Sequence, residues 1–297
     1  MADFINIVEV GARDGLQNEE VAVGTVDKID LIGRVAAAGV SRIEVASFVH
    51  PRLVPQMADA EAVVAGLPDA DVSYIGLVLN RRGLDRALAT RIDEVNFVVG
   101  ATEGFNEANQ RTDVATTMRD IEEMLPQAAA AGRKTTVTIS VAFGCPYEGE
   151  VRPGVVARLA ERSAVAGAEE IALGDTIGVA TPHDVSELVA LVSGGIGHRN
   201  LRCHFHDTRN TGVANVVAAV GLGVATIDAS VGGTGGCPYA PNATGNVSTE
   251  DVLYALHRMG FRTGIDIEAM IATGRWLGEK LGKSLPSALG RAGTWPR

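Results

Sequence analysis

Arg202–Cys203–His204–Phe205–His206–Asp207 is the stretch from which the fold can be worked out. On a β-strand successive side chains alternate faces, so His204 and His206 point one way while Cys203 points the other. Two imidazoles aimed at one point are a ligand pair for a divalent metal, and Cys203 is left to packing. The same strand is one member of a repeating pattern. Short apolar runs at 5–10, 42–48, 72–79, 94–99, 135–143, 170–173, 201–206 and 226–230 are each flanked by Gly, Asp or Pro. Helical patterns at 26–38, 112–131, 155–166, 182–192 and 212–221 separate them, and Gly39, Gly132, Gly167 and Gly223 stand where left-handed C-caps are expected. Such alternation with right-handed crossovers leads to an open doubly wound sheet or a closed barrel, and eight units favour the barrel. The expected fold class is therefore α/β, a (β/α)8 TIM barrel. Residues 266–297 carry one more helical pattern at 268–281 and then lose it, which predicts a C-terminal helical cap. No linker composition interrupts the chain, so residues 1–297 are expected to form a single domain.

Composition agrees with layered α/β packing. The 297 residues are 46% hydrophobic but only 4% aromatic, so the core should be built from Val, Ile, Leu and Ala. A net charge of −10, with scattered basic residues, argues against nucleic acid or an anionic membrane as partner. The three cysteines, Cys145, Cys203 and Cys237, form no CxxC pair and read as reduced thiols. With no signal peptide and no long apolar span, a cytoplasmic protein is expected, and its apolar outer helices suggest a homodimer.

In a barrel of this kind the chemistry sits at the C-terminal strand ends. Those ends carry Arg13–Asp14, Glu44, Asn80, Asp175, His204–His206 and the loop at 232–238. Asp14, after the first strand, would join His204 and His206, and Asn246 would reach the same mouth after the eighth. Two His, one Asp and one amide oxygen make an N/O donor set that suits Mg2+ or Mn2+ better than a thiolate-rich zinc site. Asp175, in Gly174–Asp175–Thr176–Ile177–Gly178, serves equally well as the N-cap of the following helix or as a catalytic group. In Gly232–Gly233–Thr234–Gly235–Gly236–Cys237, four glycines make a tight or mobile loop. It lacks the GK[ST] of a nucleotide-binding P-loop, and a thiol held on it beside a metal is a candidate proton donor.

The blocks Val8–Glu9–Val10–Gly11–Ala12–Arg13–Asp14–Gly15–Leu16–Gln17–Asn18–Glu19, Ser47–Phe48–Val49–His50–Pro51, Val54–Pro55–Gln56–Met57–Ala58–Asp59, Gly144–Cys145–Pro146–Tyr147–Glu148–Gly149, Gly174–Asp175–Thr176–Ile177–Gly178 and Gly236–Cys237–Pro238–Tyr239 resemble the 3-hydroxy-3-methylglutaryl-CoA lyases, metal-dependent TIM-barrel lyases. The resemblance implies retro-Claisen cleavage of 3-hydroxy-3-methylglutaryl-CoA to acetyl-CoA and acetoacetate, a step of leucine degradation. It implies that Asp14, His204, His206 and Asn246 hold the cation, that Arg13 stabilises the thioester enolate, that Glu44 braces this network and that Gln17 lies near substrate. It further implies that Asp175, with His204, helps remove the tertiary hydroxyl proton, and that Cys237 closes over the site for proton transfer.

Two departures bear on the substrate. Arg209–Asn210 stand where the family has Tyr-Gly, and Val231–Gly232–Gly233–Thr234 where Val-Ala-Gly-Leu is usual. Arg209 would meet the distal carboxylate of a substrate or form a surface ion pair. Two alternatives stay open beside the main reading. One is a lyase of the same type acting on another 3-hydroxyacyl-CoA or a 4-hydroxy-2-oxoacid, and the other a noncatalytic metal- or CoA-binding barrel.

Overall fold

The computed structural model describes residues 4–196, 200–236 and 245–295. In chain order β1 (Asn6–Glu9) leads through a π-turn at Gly11–Gly15 to α1 (Thr25–Ala37), then β2 (Arg42–Ser47), α2 (Ala60–Ala65), β3 (Ser73–Val78) and α3 (Arg81–Leu88). Next come β4 (Glu94–Gly100), α4 (Glu103–Gln110), α5 (Val114–Ala130) and β5 (Lys134–Ser140). A small hairpin of β6 (Gly144–Cys145) and β7 (Gly149–Glu150) precedes α6 (Pro153–Val165), β8 (Glu170–Asp175) and α7 (Pro182–Ile196). The chain closes with β9 (Leu201–Phe205), α8 (Gly212–Gly221), β10 (Thr226–Ala229), α9 (Thr249–Arg258), α10 (Ile267–Leu281) and α11 (Ala288–Ala292). Eight parallel strands form a closed barrel in the order β1-β10-β9-β8-β5-β4-β3-β2, the expected (β/α)8 fold.

Every expected strand is present, with ends shifted by one or two residues except at β5, which stops at Ser140 because Val141 adopts φ 51°. The residues chosen as helix C-caps, Gly39, Gly132, Gly167 and Gly223, all have positive φ. The expected terminal helix is α10, capped by Asp266 through the amides of Glu268 and Ala269. One short helix follows it where no periodicity was visible, α11, whose first turn is held by the Asp251 carboxylate. No described helix is long and apolar enough to cross a membrane.

The two faces of the barrel wall differ. Ile7, Ile43, Val45, Leu173, Phe205 and Ile227 face outward and pack against helix residues such as Leu31, Ile32, Leu188 and Leu256 in one continuous core. Burying each such side chain contributes about 1.5–3 kcal/mol. This layer is the aliphatic core that composition predicts. The inside of the barrel is not. Its apolar part is a separate small cluster of Val8, Val10 and Ile75. Much of the rest is ionic: Arg42 bonds bidentately to Glu94 and to Glu170 at 2.6–3.1 Å, and the fully buried Arg202 reaches Glu170 and Asp228 at 3.4 and 3.2 Å. Ser73 and Thr136 donate to the same carboxylates. A buried charge is tolerated only when paired in this way.

Candidate active site

The site begins with the π-turn after β1. Gly15 sits so close to the loop after β10 that a Cβ there would lie 2.4 Å from Thr234 Oγ1. That approach sets Arg13 and Asp14 at the mouth of the barrel, on the side of β9 and β10. Arg13 Nη1 donates to Asp14 Oδ1 at 2.5 Å, and its Nε donates to Glu44 Oε2 at 2.5 Å. Glu44 is fixed in turn by Asn96 Nδ2 at 2.8 Å, and Asn96 by the hydroxyl of Thr138 at 2.8 Å. A hydrogen-bonded row therefore crosses from β5 through β4 and β2 to the turn. A bulge in the β2–β3 pairing after Glu44 shifts the alternation, so that Ser47 also lines the cavity.

His204 and His206 enter from β9 on one face, with ring centroids 5.2 Å apart. The Nε2 atoms of both lie 3.9 Å from Asp14 Oδ2. Ligand atoms of Asp14, His204 and His206 all fall within 4.8 Å of one another, a group able to hold a metal ion. Asn246 joins through an antiparallel bridge to His206, and Gly245 precedes it because a Cβ there would strike Gly235 O at 2.4 Å. Its Nδ2 donates to Asp14 Oδ2 at 2.8 Å, while its buried Oδ1 has no partner among the described residues. An orphaned amide oxygen beside a carboxylate and two imidazoles is a donor set that a hard or borderline divalent cation fits.

Electrostatics point the same way. Burial pushes the Asp14 carboxyl up, but Arg13, His204 and His206 overcome it and hold the group well below the usual carboxylate range. Burial, helped by His204, pushes His206 down to about 4, which keeps a lone pair available. His204 is raised, because its bond to Asp228 and the charge of Asp14 outweigh burial. Burial opposes the charge on Arg13, and Glu44 and Asp14 restore it. Among the described residues, Arg13, Arg42 and Arg202 face five carboxylates within the barrel, Asp14, Glu44, Glu94, Glu170 and Asp228, with His204 between Asp14 and Asp228. A divalent cation beside Asp14 would meet this excess of carboxylates.

These groups open onto a cavity of about 730 Å³. Gln17 and Asn18 line it near the turn, Leu77, Leu79 and Val98 form an apolar wall, and Phe105 closes one side. Asn18 Nδ2 also donates to Gly236 O at 2.8 Å, tying the first loop to the root of the glycine loop. Cys237 lies outside the described residues.

Two expected site residues are placed differently. Asp175 does not line the cavity. On β8 the alternation that turns Glu170 and Gly174 inward turns Asp175 outward, where its carboxylate accepts from Val179 N at 2.9 Å and Ala180 N at 3.1 Å. Burial raises it to about 6 against those two bonds. The helix N-cap expected as one of its two roles is not formed, since α7 begins at Pro182 and the carboxylate holds amides of the loop before it. Among the described residues Arg209 neither lines the cavity nor forms an ion pair; its Nη1 donates to Ile177 O and Gly178 O at 3.1 and 2.8 Å. It braces the loop that Asp175 starts. The cysteines behave as their positions predict: Cys203 faces the outer core, with its thiol raised by burial, and Cys145 is buried in the hairpin, its sulfur accepting from Thr102.

Sequence reading missed Asp228 and Arg202. Both carry an available signal, a charged residue inside an apolar strand: Arg202 shares the face of His204 two residues on, and Asp228 pairs in register with His204.

The HMGL-like family profile matches residues 4–277. A hydroxymethylglutaryl-CoA lyase of Bacillus subtilis is 40% identical over 284 residues, covering 95% of this chain and 95% of that protein. An (R)-citramalyl-CoA lyase of Chloroflexus aurantiacus is 39% identical over 302 residues, covering 98% and 95%. Among solved structures, an HMG-CoA lyase of Acinetobacter baumannii in complex with coenzyme A and 3-methylmalate superimposes with a TM-score of 0.96 at 39% identity, covering 99% of this chain and 96% of that one.

Proposed function

The chain belongs to the HMGL-like family, and from that premise we propose that it is a carbon–carbon lyase cleaving 3-hydroxy-3-methylglutaryl-CoA to acetyl-CoA and acetoacetate, with Mg2+ or Mn2+ as cofactor. The observation that carries this reading is the convergence of Asp14, His204 and His206 beside the Arg13 guanidinium at one cavity. Breaking the C2–C3 bond of a 3-hydroxyacyl thioester needs the tertiary hydroxyl proton removed, the electron pair of that bond accepted by the thioester, and the resulting enolate protonated at carbon. When bound, a divalent cation supplies the Lewis acidity that eases loss of the hydroxyl proton. Asp14, His204, His206 and Asn246 are the residues that would hold it. Arg13, locked by Glu44, opposes the charge that develops on the thioester oxygen, and Gln17 lies where it contacts substrate. Cys237, carried on the glycine loop, is assigned the return of a proton to the enolate. Asp175 and Arg209 are assigned to the shape of the loop after β8, with no direct part in proton transfer or carboxylate binding. Free Cys145 and Cys203 suit a cytoplasmic enzyme, and the apolar outer helices a homodimer; leucine degradation is the pathway this substrate implies.

A second substrate has specific support from the citramalyl-CoA lyase relative, since the same residues would act on any 3-hydroxyacyl-CoA with a tertiary alcohol. One assay separates the readings: acetyl-CoA release from 3-hydroxy-3-methylglutaryl-CoA and from citramalyl-CoA, by chelator-treated protein with and without Mg2+ or Mn2+. Cation-dependent cleavage of the first is expected, abolished in His206→Ala and reduced about 10²–10³-fold in kcat in Arg13→Met. Cleavage of citramalyl-CoA alone would move the substrate and keep the mechanism. No turnover of either with cation present would leave a binding barrel.

A further inference from the structure

Asp228 stands opposite His204 in the β9–β10 register, and strand alternation puts Arg202, His204 and Asp228 together on the inner face of the wall. Asp228 Oδ2 lies 3.1 Å from His204 Nδ1, and its second oxygen lies 3.2 Å from Arg202 Nε, an ion pair without hydrogen-bond geometry. Arg202 continues to Glu170 at 3.4 Å, and Glu170 to Arg42. Arg202 is 1% exposed and Asp228 4%, so the pair lies largely out of water, with Asp228 at the edge of the cavity. The other ring nitrogen of His204, Nε2, faces Asp14. A neutral imidazole has one N–H and one lone pair, and a carboxylate only accepts. A carboxylate at Nδ1 therefore fixes the proton there and leaves the Nε2 lone pair directed at the space shared with Asp14 and His206. His206 supplies the contrast: among the described residues its buried Nδ1 has no hydrogen-bond partner to orient that ring from behind.

From this geometry we infer that Asp228 and Arg202 are positioning residues: Asp228 sets the tautomer and ring orientation of His204 for cation binding, and the Arg202 charge keeps the Asp228 carboxylate ionised beside it. The inference rests on reading Asp14, His204 and His206 as the cation site. The buried ionic stack in the barrel thereby has a functional end as well as a structural one. Its upper members aim a ligand, whereas Arg42 and Glu94 below only fill the barrel and hold its strands together.

Two measurements test it. The first needs no variant: 15N spectra of the histidine rings in chelator-treated protein, at a pH where they are neutral, should show His204 protonated at Nδ1 with Nε2 bare. The opposite tautomer overturns the inference. The second is Mn2+ titration of the unaltered protein, Asp228→Asn and Glu94→Gln. Asp228→Asn should bind Mn2+ about 10–100-fold more weakly, and Glu94→Gln, which breaks the stack away from His204, should change affinity less than about threefold. Near-normal affinity in Asp228→Asn overturns the inference, and so does an equal loss in both variants, because any break in the stack would then loosen the site. Should Asp228→Asn fail to fold, Arg202→Met carries the test: it removes the charge, and unchanged affinity and ring spectra would remove Arg202 from the role. Absence of Mn2+ binding by the unaltered protein, with the Nδ1 tautomer present, would overturn the cation reading instead and leave Asp228 orienting His204 for another purpose.

Discussion

Glu170 and Asp175 belong to the same strand, β8, yet they face opposite sides of the barrel wall and titrate in opposite directions. Burial alone would raise both. For Glu170, on the inner face, Arg202 and Arg42 outweigh burial and lower the carboxyl. Asp175, on the outer face, has two backbone amides and no close cation in hydrogen-bond contact, and burial raises it to about 6. The pattern extends around the barrel. Asp14 at the inner mouth is held low by Arg13 and the histidines, whereas Glu9, one residue away from the inward Val8 and Val10, is raised by burial to about 8 despite bonds from Thr249, Val231 and Gly11. Carboxyls on the two faces thus shift in opposite directions: Asp14 and Glu170 bond to guanidiniums and keep 19% and 13% side-chain exposure, whereas Glu9 and Asp175 are 1% exposed and, among the described residues, accept only from backbone amides and a hydroxyl. On the inner face Asp14 and Glu170 are held low, as a cation site needs. The outer face uses carboxyls to pin the loops that leave the strands.

Glu170→Gln should break this contrast most severely. It would leave Arg42 and Arg202 short of a buried counter-charge, and urea unfolding should show a loss of about 3–5 kcal/mol. Because Glu170 titrates lower folded than unfolded, its contribution is full above its ordinary value of 4.5 and disappears as the pH falls through the lowered one. The gap between the unaltered protein and Glu170→Gln should therefore shrink in acid.

Asp175→Asn should show the reverse dependence. The folded carboxyl titrates near 6 and the unfolded one near 3.8, so the group's contribution is full below about pH 4 and is lost as the pH rises through 6, a change of about 3 kcal/mol. The Asn variant lacks that dependence. Unfolding midpoints of the two proteins should lie close together at pH 4 and shift in favour of the variant by pH 8. Parallel pH curves for the two would mean that the charges of His204 and Arg209 offset burial at Asp175.

The smallest effect is expected at Arg209. Arg209→Met removes two bonds to loop carbonyls and should cost about 1 kcal/mol in the urea midpoint. KM for an acyl-CoA substrate should stay unchanged, since the side chain does not line the cavity. A large rise in KM with unaltered stability would return Arg209 to the substrate carboxylate.

Periodicity made most of the fold legible. Apolar runs of strand length and Gly C-caps mark eight β/α units because each strand must bury its outer face against a helix. The short helices α2, α3 and α4 carry too few turns for their period to stand out. The metal-capable trio was legible for a local reason: His204 and His206 share a face by alternation, and Asp14 follows a strand whose end must reach the same mouth. The same rule applied to β8 would have turned Asp175 away from the cavity, since Glu170 and Gly174 occupy its inward positions. Composition was silent on the ionic barrel interior, because Arg42, Glu94, Glu170 and Arg202 come from four strands and are adjacent only after closure.

By itself the sequence determined the β/α alternation, the closure into a barrel and the residue types gathered at its mouth, because these follow from periods of 2 and 3.6 residues and from chain order. Only the tertiary structure decided which charges meet. Arg13 finds Glu44, Arg202 finds Asp228 and Asp228 finds His204 across strands far apart in sequence, and the Coulomb energy of such pairs depends on distances that no local pattern encodes.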